Sequence, residues 1–156
     1  MARKKKPSGW DEIDGGAGFV IPLTMMRHRN FTRLSAHAVK LLLDLARQYT
    51  GFNNGYLCAS WSLMRVLGWN SSHTVQKAML ELEHYNIILR TQQGGQNRPN
   101  LHALTWRKID EKLKQPLDVR PTIVPPDSWK HDAIPDFEMP TPKARRARRA
   151  KLKVAA

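Results

Sequence analysis

The chain of 156 residues is long enough for one hydrophobic core but not for two domains. Its 26 lysines and arginines against 13 acidic residues give a formal net charge of +13, which favours a polyanionic partner. A single cysteine, Cys58, excludes an intrachain disulfide and a cysteine-based zinc site, and no apolar run approaches the ~20 residues of a membrane span. The sequence therefore predicts a cytoplasmic protein without a membrane partner.

Residues 1 to 17 mix lysines, acids and glycines with Trp10 as the one aromatic side chain, which predicts a flexible basic arm. Residues 19 to 21 predict a short strand that ends at Pro22, because proline lacks the backbone donor that a strand needs. A turn of helix is expected from Thr24 to Arg27.

The first long helix is predicted from Ser35, whose hydroxyl can cap the first turn, to about Tyr49. Apolar residues recur at three- and four-residue spacing on the side expected in the core: Leu34, Ala38, Leu41, Leu42, Leu45 and Tyr49. The opposite side carries Lys40, Asp44, Arg47 and Gln48. The Asn-Asn-Gly sequence at 53 to 55 then predicts a turn with positive φ values, followed by a strand over residues 56 to 58.

Two shorter helices are predicted around a turn at residues 68 to 70. Ser60 is expected to cap the first helix, and Gly68 to end it. Its inward side chains are predicted to be Leu63, Met64, Val66 and Leu67. Ser71 or Ser72 is expected to cap the second helix, which runs to residue 85 or 86. Its buried stripe is predicted to be Val75, Ala78, Met79 and Leu82. This arrangement is typical of a helix-turn-helix.

Residues 87 to 91 and 101 to 106 predict a hairpin whose tip, residues 92 to 100, contains Gly94, Gly95 and Pro99. The fold predicted for residues 18 to 110 is therefore an α+β winged helix-turn-helix, with a three-helix core and this hairpin as its wing. Residues 111 to 142 hold seven of the ten prolines and predict an extended linker. Residues 143 to 156 carry seven positive and no negative side chains, and they predict a flexible basic tail.

The second short helix, over residues 72 to 85, would lie in the major groove of double-stranded DNA as a recognition helix. The candidates for contacts with base edges are Ser72, His73, Gln76 and Lys77. The candidates for contacts with phosphate near the helix start are Ser71 and Thr74. Leu80 also falls on this outward face, where it would be exposed unless it packs on another segment or a second protomer. Polar residues on a helix face can equally be solvated without function.

The wing is expected on the DNA backbone or in the minor groove, through Gln96, Asn97 and Arg98. Backbone contacts without sequence preference are expected from the two basic ends, through Lys4, Lys5, Lys6, Arg145, Arg146, Arg148 and Arg149. A solvated hairpin without function would also have a polar tip. A protein-binding tail would also be basic.

Catalytic motifs are missing from the sequence. The six histidines are scattered without metal-ligand spacing, and neither a phosphate-binding loop nor a nucleophile elbow occurs. We therefore expect a protein that is not an enzyme and needs no cofactor or metal.

Four segments resemble helix-turn-helix proteins of proteobacterial phages, plasmids and integrated elements and, more distantly, plasmid and phage replication initiators. They read FVIPLTMM, LSAHAVKLLLDLARQYTGFNNGYLCAS, GWNSSHTVQKAMLELEHYNIILRTQQGGQNRP and LHALTWRKID. The resemblance covers roughly residues 18 to 110 and implies DNA binding by a mobile-element protein, in transcription, replication or partition. We expect transcriptional control or replication, in a cytoplasmic protein associated with the bacterial nucleoid.

Two other functions fit the sequence. The winged fold could bind and inhibit a host protein or defence complex, which would favour an exposed apolar patch around Leu80, Trp69 or Trp129. An RNA-binding accessory role is the other alternative, since basic tails do not distinguish RNA from DNA. A monomer and a homodimer are both compatible with the sequence.

Overall fold

A computed structural model describes residues 18 to 144 and residue 147 of the chain. The described part has an α+β architecture. Its helices are α1 (Leu23–Arg27), α2 (Arg29–Thr32), α3 (Ala36–Ala46), α4 (Trp61–Val66) and α5 (Ser72–His84), with a 3-10 turn at Ser128–Lys130. Its strands are β1 (Leu57–Cys58), β2 (Ile88–Gln92) and β3 (Leu101–Leu104).

The three strands form one antiparallel sheet in the order β1-β3-β2. β2 and β3 make a hairpin whose register shifts between Arg90 and Gln92. Because α4 and α5 lie between β1 and this hairpin in the chain, the arrangement is compatible with a winged helix. The predicted α+β class is thus confirmed.

The main core lies where α3 packs against α5. The predicted stripe of α3 is buried at Ala38, Leu41, Leu42 and Leu45. Ser35 caps this helix as predicted, since its Oγ accepts a hydrogen bond from the amide of Ala38 at 3.2 Å. The helix ends at Ala46, three residues before the predicted end.

Three local predictions were wrong. Residues 19 to 21 form no strand; instead Phe19 packs edge-on against Tyr49 and Trp106, at 6.1 Å between ring centroids in each case. Ser60 stands at the start of α4, but its hydroxyl lies 3.2 Å from Ser62 Oγ and caps no amide. In the turn at residues 53 to 55, only Gly55 has a positive φ, +112°.

Two side chains differ from the prediction in their exposure to solvent, and a third, Leu80, takes the packed one of its two predicted alternatives. Val66 is 79% exposed, because it follows the buried Met64 by two residues and therefore points about 200° away around α4. Asp44 is buried, since its carboxylate accepts hydrogen bonds from the indole of Trp69 and from Lys40, both at 2.8 Å. Leu80 is buried rather than exposed on α5.

Asn54 joins the turn before β1 to the chain after β3. Its side chain is fully buried, and its Nδ2 donates to the carbonyl oxygens of residues 104, 107 and 108 at 2.8 to 3.2 Å. Its Oδ1 accepts from the amide of Leu104 at 2.7 Å, and its own amide donates to the carboxylate of Asp110 at 2.9 Å. One side chain therefore supplies hydrogen-bond partners for the backbone groups of residues 104 to 108, where the chain bends after β3.

Residues 111 to 142 run over the surface of this core, mostly without regular secondary structure. Trp129 is 4% exposed, and Phe137 packs against the core with its amide donating to Tyr85 Oη at 2.9 Å. The side chain of the buried Asn30 donates to the carbonyl oxygens of Trp129 and His131, both at 2.7 Å. The packed structure therefore continues past residue 110, at least to Phe137.

Candidate nucleic-acid interface

The N-terminal half of α5 presents the side chains predicted to face a nucleic acid. Four of them are exposed to solvent: Ser72, His73, Gln76 and Lys77. Ser71 is the helix cap, and its Oγ accepts a hydrogen bond from the amide of Thr74 at 3.3 Å. Both residues are half-buried, and the amide of Thr74 is already used by the cap. The exposed set therefore lies on one side of the first turns of the helix.

The two acidic residues of α5 turn away from this side. Glu81 is 4% exposed and accepts from the amide of Ser35 at 2.6 Å and from its hydroxyl at 2.7 Å. The side chain of Glu83 is 5% exposed and pairs with Arg90. The exposed surface of α5 therefore carries the ammonium group of Lys77 and no carboxylate.

The same separation of charges holds for all of residues 18 to 110. The four carboxylates in this range are buried, and each is hydrogen-bonded: Asp44, Glu81, Glu83 and Asp110. Eight lysines and arginines in the same range are exposed: Arg27, Arg29, Lys40, Arg47, Arg65, Lys77, Arg98 and Lys108. Residues 18 to 110 therefore expose cations and keep their own carboxylates buried. Three of these cations lie near a carboxylate oxygen: Lys40 at 2.8 Å from Asp44, Lys108 at 3.5 Å from Asp110 and Arg98 at 3.8 Å from Asp118.

Glu83 connects α5 to the hairpin. Its carboxylate accepts from Arg90 Nη2 at 2.7 Å and from His102 Nε2 at 3.1 Å, and His102 is fully buried. Burial alone would raise the pKa of Glu83, but the hydrogen bond from His102 and the charge of Arg90 outweigh it and hold that pKa below its ordinary value. The ionised carboxylate thus fixes the hairpin relative to α5.

The tip of the hairpin is a tight turn at Gln96 and Asn97, both exposed. Gly95 and Arg98 bridge across it, with the amide of Gly95 donating to the carbonyl of Arg98 at 2.8 Å. Asn97 has a φ of +59°, which asparagine tolerates better than most residues. A Cβ on Gly94 would lie 2.8 Å from the backbone of Arg98, so glycine is required there.

Arg98 is about half exposed but already has partners. Its Nη2 donates to Gln92 Oε1 at 2.8 Å and lies 3.8 Å from a carboxylate oxygen of Asp118. Asp118 also accepts from the amide of Gln93 at 2.6 Å, and its own amide donates to the carbonyl of Thr91 at 2.8 Å. A phosphate that reached Arg98 would therefore compete with Asp118, a contact that no local sequence pattern indicated.

Several predicted residues do not contribute to this described surface. Lys4, Lys5, Lys6, Arg145, Arg146, Arg148 and Arg149 lie outside the described residues. The residues predicted to form an apolar patch are buried, with 9% of Leu80 and 4% each of Trp69 and Trp129 exposed. In the described part of the chain, no three potential ligands lie together in a metal-binding arrangement, and no helix has the length and apolar character needed to traverse a bilayer.

No family model, curated protein or solved structure matches the chain. The resemblance to helix-turn-helix proteins of mobile elements therefore stays a prediction, and the function is inferred from the geometry and charge of the surface.

Proposed function

We propose that the chain is a non-enzymatic double-stranded DNA-binding protein of a phage or other mobile element, acting in transcriptional control or replication. In this proposal α4 and α5 form the helix-turn-helix, α5 is the recognition helix in the major groove, and the hairpin is the wing. The order of the elements and the β1-β3-β2 sheet support it.

The observation that carries the proposal is the burial of all four carboxylates in residues 18 to 110. Eight exposed cations and four buried carboxylates in this range suit a polyanionic partner, because phosphate contacts supply nearly all of the non-specific affinity for DNA and a large share of the specific affinity. Ser72, His73, Gln76 and Lys77 would then face the base edges from the start of α5, where a recognition helix makes its specific contacts.

The wing would contact the DNA backbone or the minor groove through Gln96, Asn97 and Arg98, with Asp118 displaced from Arg98 on binding. Burial of Leu80, Trp69 and Trp129 leaves the host-protein alternative without the apolar patch that it favoured. The RNA-binding alternative would use the same protein surface for a different nucleic acid, so a binding experiment is needed to separate it from DNA binding.

We expect Lys77→Ala to weaken binding to duplex DNA by about tenfold, the effect of losing one charge-assisted contact. The matched control is Arg29→Ala, which removes the same charge from α2. This helix adjoins the other end of α5, where the guanidinium of Arg33 lies 4.5 Å above the ring of Tyr85. Lys77 lies ~12 Å along the helix axis from Tyr85, which is more than the ~8 Å screening length at physiological salt, so the control is expected to change the affinity by less than about twofold.

The measurement is fluorescence anisotropy of the full chain with labelled DNA and RNA duplexes of one sequence. Equal losses of affinity in Lys77→Ala and Arg29→Ala would show that the nucleic acid binds through the overall positive charge and not through an interface at α5. Tighter binding to the RNA duplex would favour the accessory RNA-binding role.

A further inference from the structure

An open groove of about 370 Å³ lies between the first turn of α4 and the first half of α5. Apolar side chains line one part of it: Trp61, Val75 and Met79. The polar part is formed by Ser72, His73 and Gln76, which belong to the exposed side of α5 described above. The groove therefore opens on the same side as the proposed DNA contacts.

Trp61 is unusual in this groove because it is a large aromatic residue that remains 38% exposed. Met79 beside it is only partly buried, although it belongs to the stripe of α5 predicted to be inside. An apolar recess beside a polar helix face can bind a ligand in which an apolar group lies between hydrogen-bonding groups.

The overall charge of residues 18 to 110 indicates the kind of molecule to which that apolar group belongs. The exposed cations and buried acids of residues 18 to 110 favour a polyanion, so the apolar group should belong to a nucleic acid. Among the four ordinary bases of DNA, only thymine presents an apolar group, its 5-methyl, at the major-groove edge. Uracil, its counterpart in RNA, lacks this methyl.

We propose that the groove accepts the 5-methyl group of a thymine, with Trp61 and Met79 as the residues that contact it. This inference rests on the proposed function and adds to it a base preference and a reason to select DNA over RNA. The adenine paired with that thymine would lie within the reach of α5, where Gln76 has the amide group suited to its N6 and N7.

The test uses the full chain and the duplex that it selects from a random pool. Each thymine of that duplex is replaced in turn by deoxyuridine, which removes only the methyl group. We expect one position at which the affinity falls about fourfold, the effect of exposing one buried methyl. In Trp61→Ala and Met79→Ala, the thymine-to-deoxyuridine affinity ratio at that position should fall to about one.

The matched control is Phe52→Ala, which removes an aromatic side chain that is 79% exposed and does not line the groove. It should keep the fourfold ratio. Because the ratio compares two duplexes with the same protein sample, partial unfolding of a variant does not change it.

The outcomes separate this inference from the function on which it rests. A selected duplex that binds equally with thymine and deoxyuridine at every position would overturn the methyl site and leave DNA binding intact. A ratio that Trp61→Ala and Met79→Ala leave at fourfold would place the methyl elsewhere and also overturn it. Failure to prefer any duplex would contradict the proposed function, and the methyl site with it.

Discussion

Deleting residues 143 to 156 is expected to reduce the salt dependence of duplex binding more than any single substitution. This segment carries seven lysines and arginines and no acidic residue. Each neutralised phosphate contributes about 0.9 to the slope of log affinity against log salt, so the slope should fall by up to about six. Fluorescence anisotropy between roughly 50 and 200 mM salt, with the intact and the shortened chain, measures this difference.

The matched control keeps the length of the tail and replaces its seven cations by glutamine. It should behave like the deletion, because the proposed contribution of the tail is its charge. The selected sequence motif should stay the same in both, since α5 and the wing would provide the preference. An unchanged slope would mean that the tail does not contact the DNA backbone.

Replacing Asn54 by aspartate is expected to lower the free energy of unfolding by about 3–5 kcal/mol. The side-chain amide of Asn54 donates to three carbonyl oxygens in a fully buried site. A carboxylate there would lose both N–H donors of that amide and place a negative charge against the three carbonyl oxygens. Urea unfolding followed by circular dichroism measures the change.

Asn70→Asp is the matched control, because it introduces the same charge at an exposed position in the turn before α5. It should shift the free energy of unfolding by no more than about 0.5 kcal/mol. If the two variants unfolded at the same urea concentration, Asn54 would not hold the bend after β3 in the way that its hydrogen bonds indicate.

The local features of the fold could be predicted from the sequence because they repeat at helical spacing. These features depend on residues within one or two turns of each other. They are the buried stripe of α3, the cap at Ser35, the cap predicted at Ser71 or Ser72 and found at Ser71, and the end of α5 near Tyr85. The exposure of His73 and Lys77 followed from the same periodicity, with Gln76 beside them, whereas Ser72 was chosen for its position in the first turn of the helix.

The features that could not be predicted depend on residues far apart in the chain. Asp44 belongs to a polar face by spacing, yet the indole of Trp69 draws it into the core. The sequence of α5 alone gives Glu83 the character of a solvated helix residue. In the structure, Arg90 and His102 of the hairpin surround its carboxylate. The proline-rich composition of residues 111 to 142 indicated an extended segment but gave no sign that Trp129 packs against the core.

The candidate site also has local features that could be predicted from the sequence and long-range contacts that could not. The outward residues of α5 were accessible to sequence reasoning, whereas the partners of Arg98 were not. Asp118 lies 20 residues beyond Arg98, in a segment without helical or strand periodicity that could relate it to the hairpin. The groove beside Trp61 was missed because it requires the relative placement of α4 and α5.

Sequence selection from a random duplex pool, using residues 18 to 142, is the most direct test of DNA recognition by α5. This fragment omits both basic ends but keeps Trp129 and Phe137, which complete the packing of the core. We expect one motif to be enriched at near-physiological salt, and Lys77→Ala to lose it or change the preferred base at one position. Absence of any enriched motif from a fragment whose circular dichroism shows that it is folded would contradict recognition by α5.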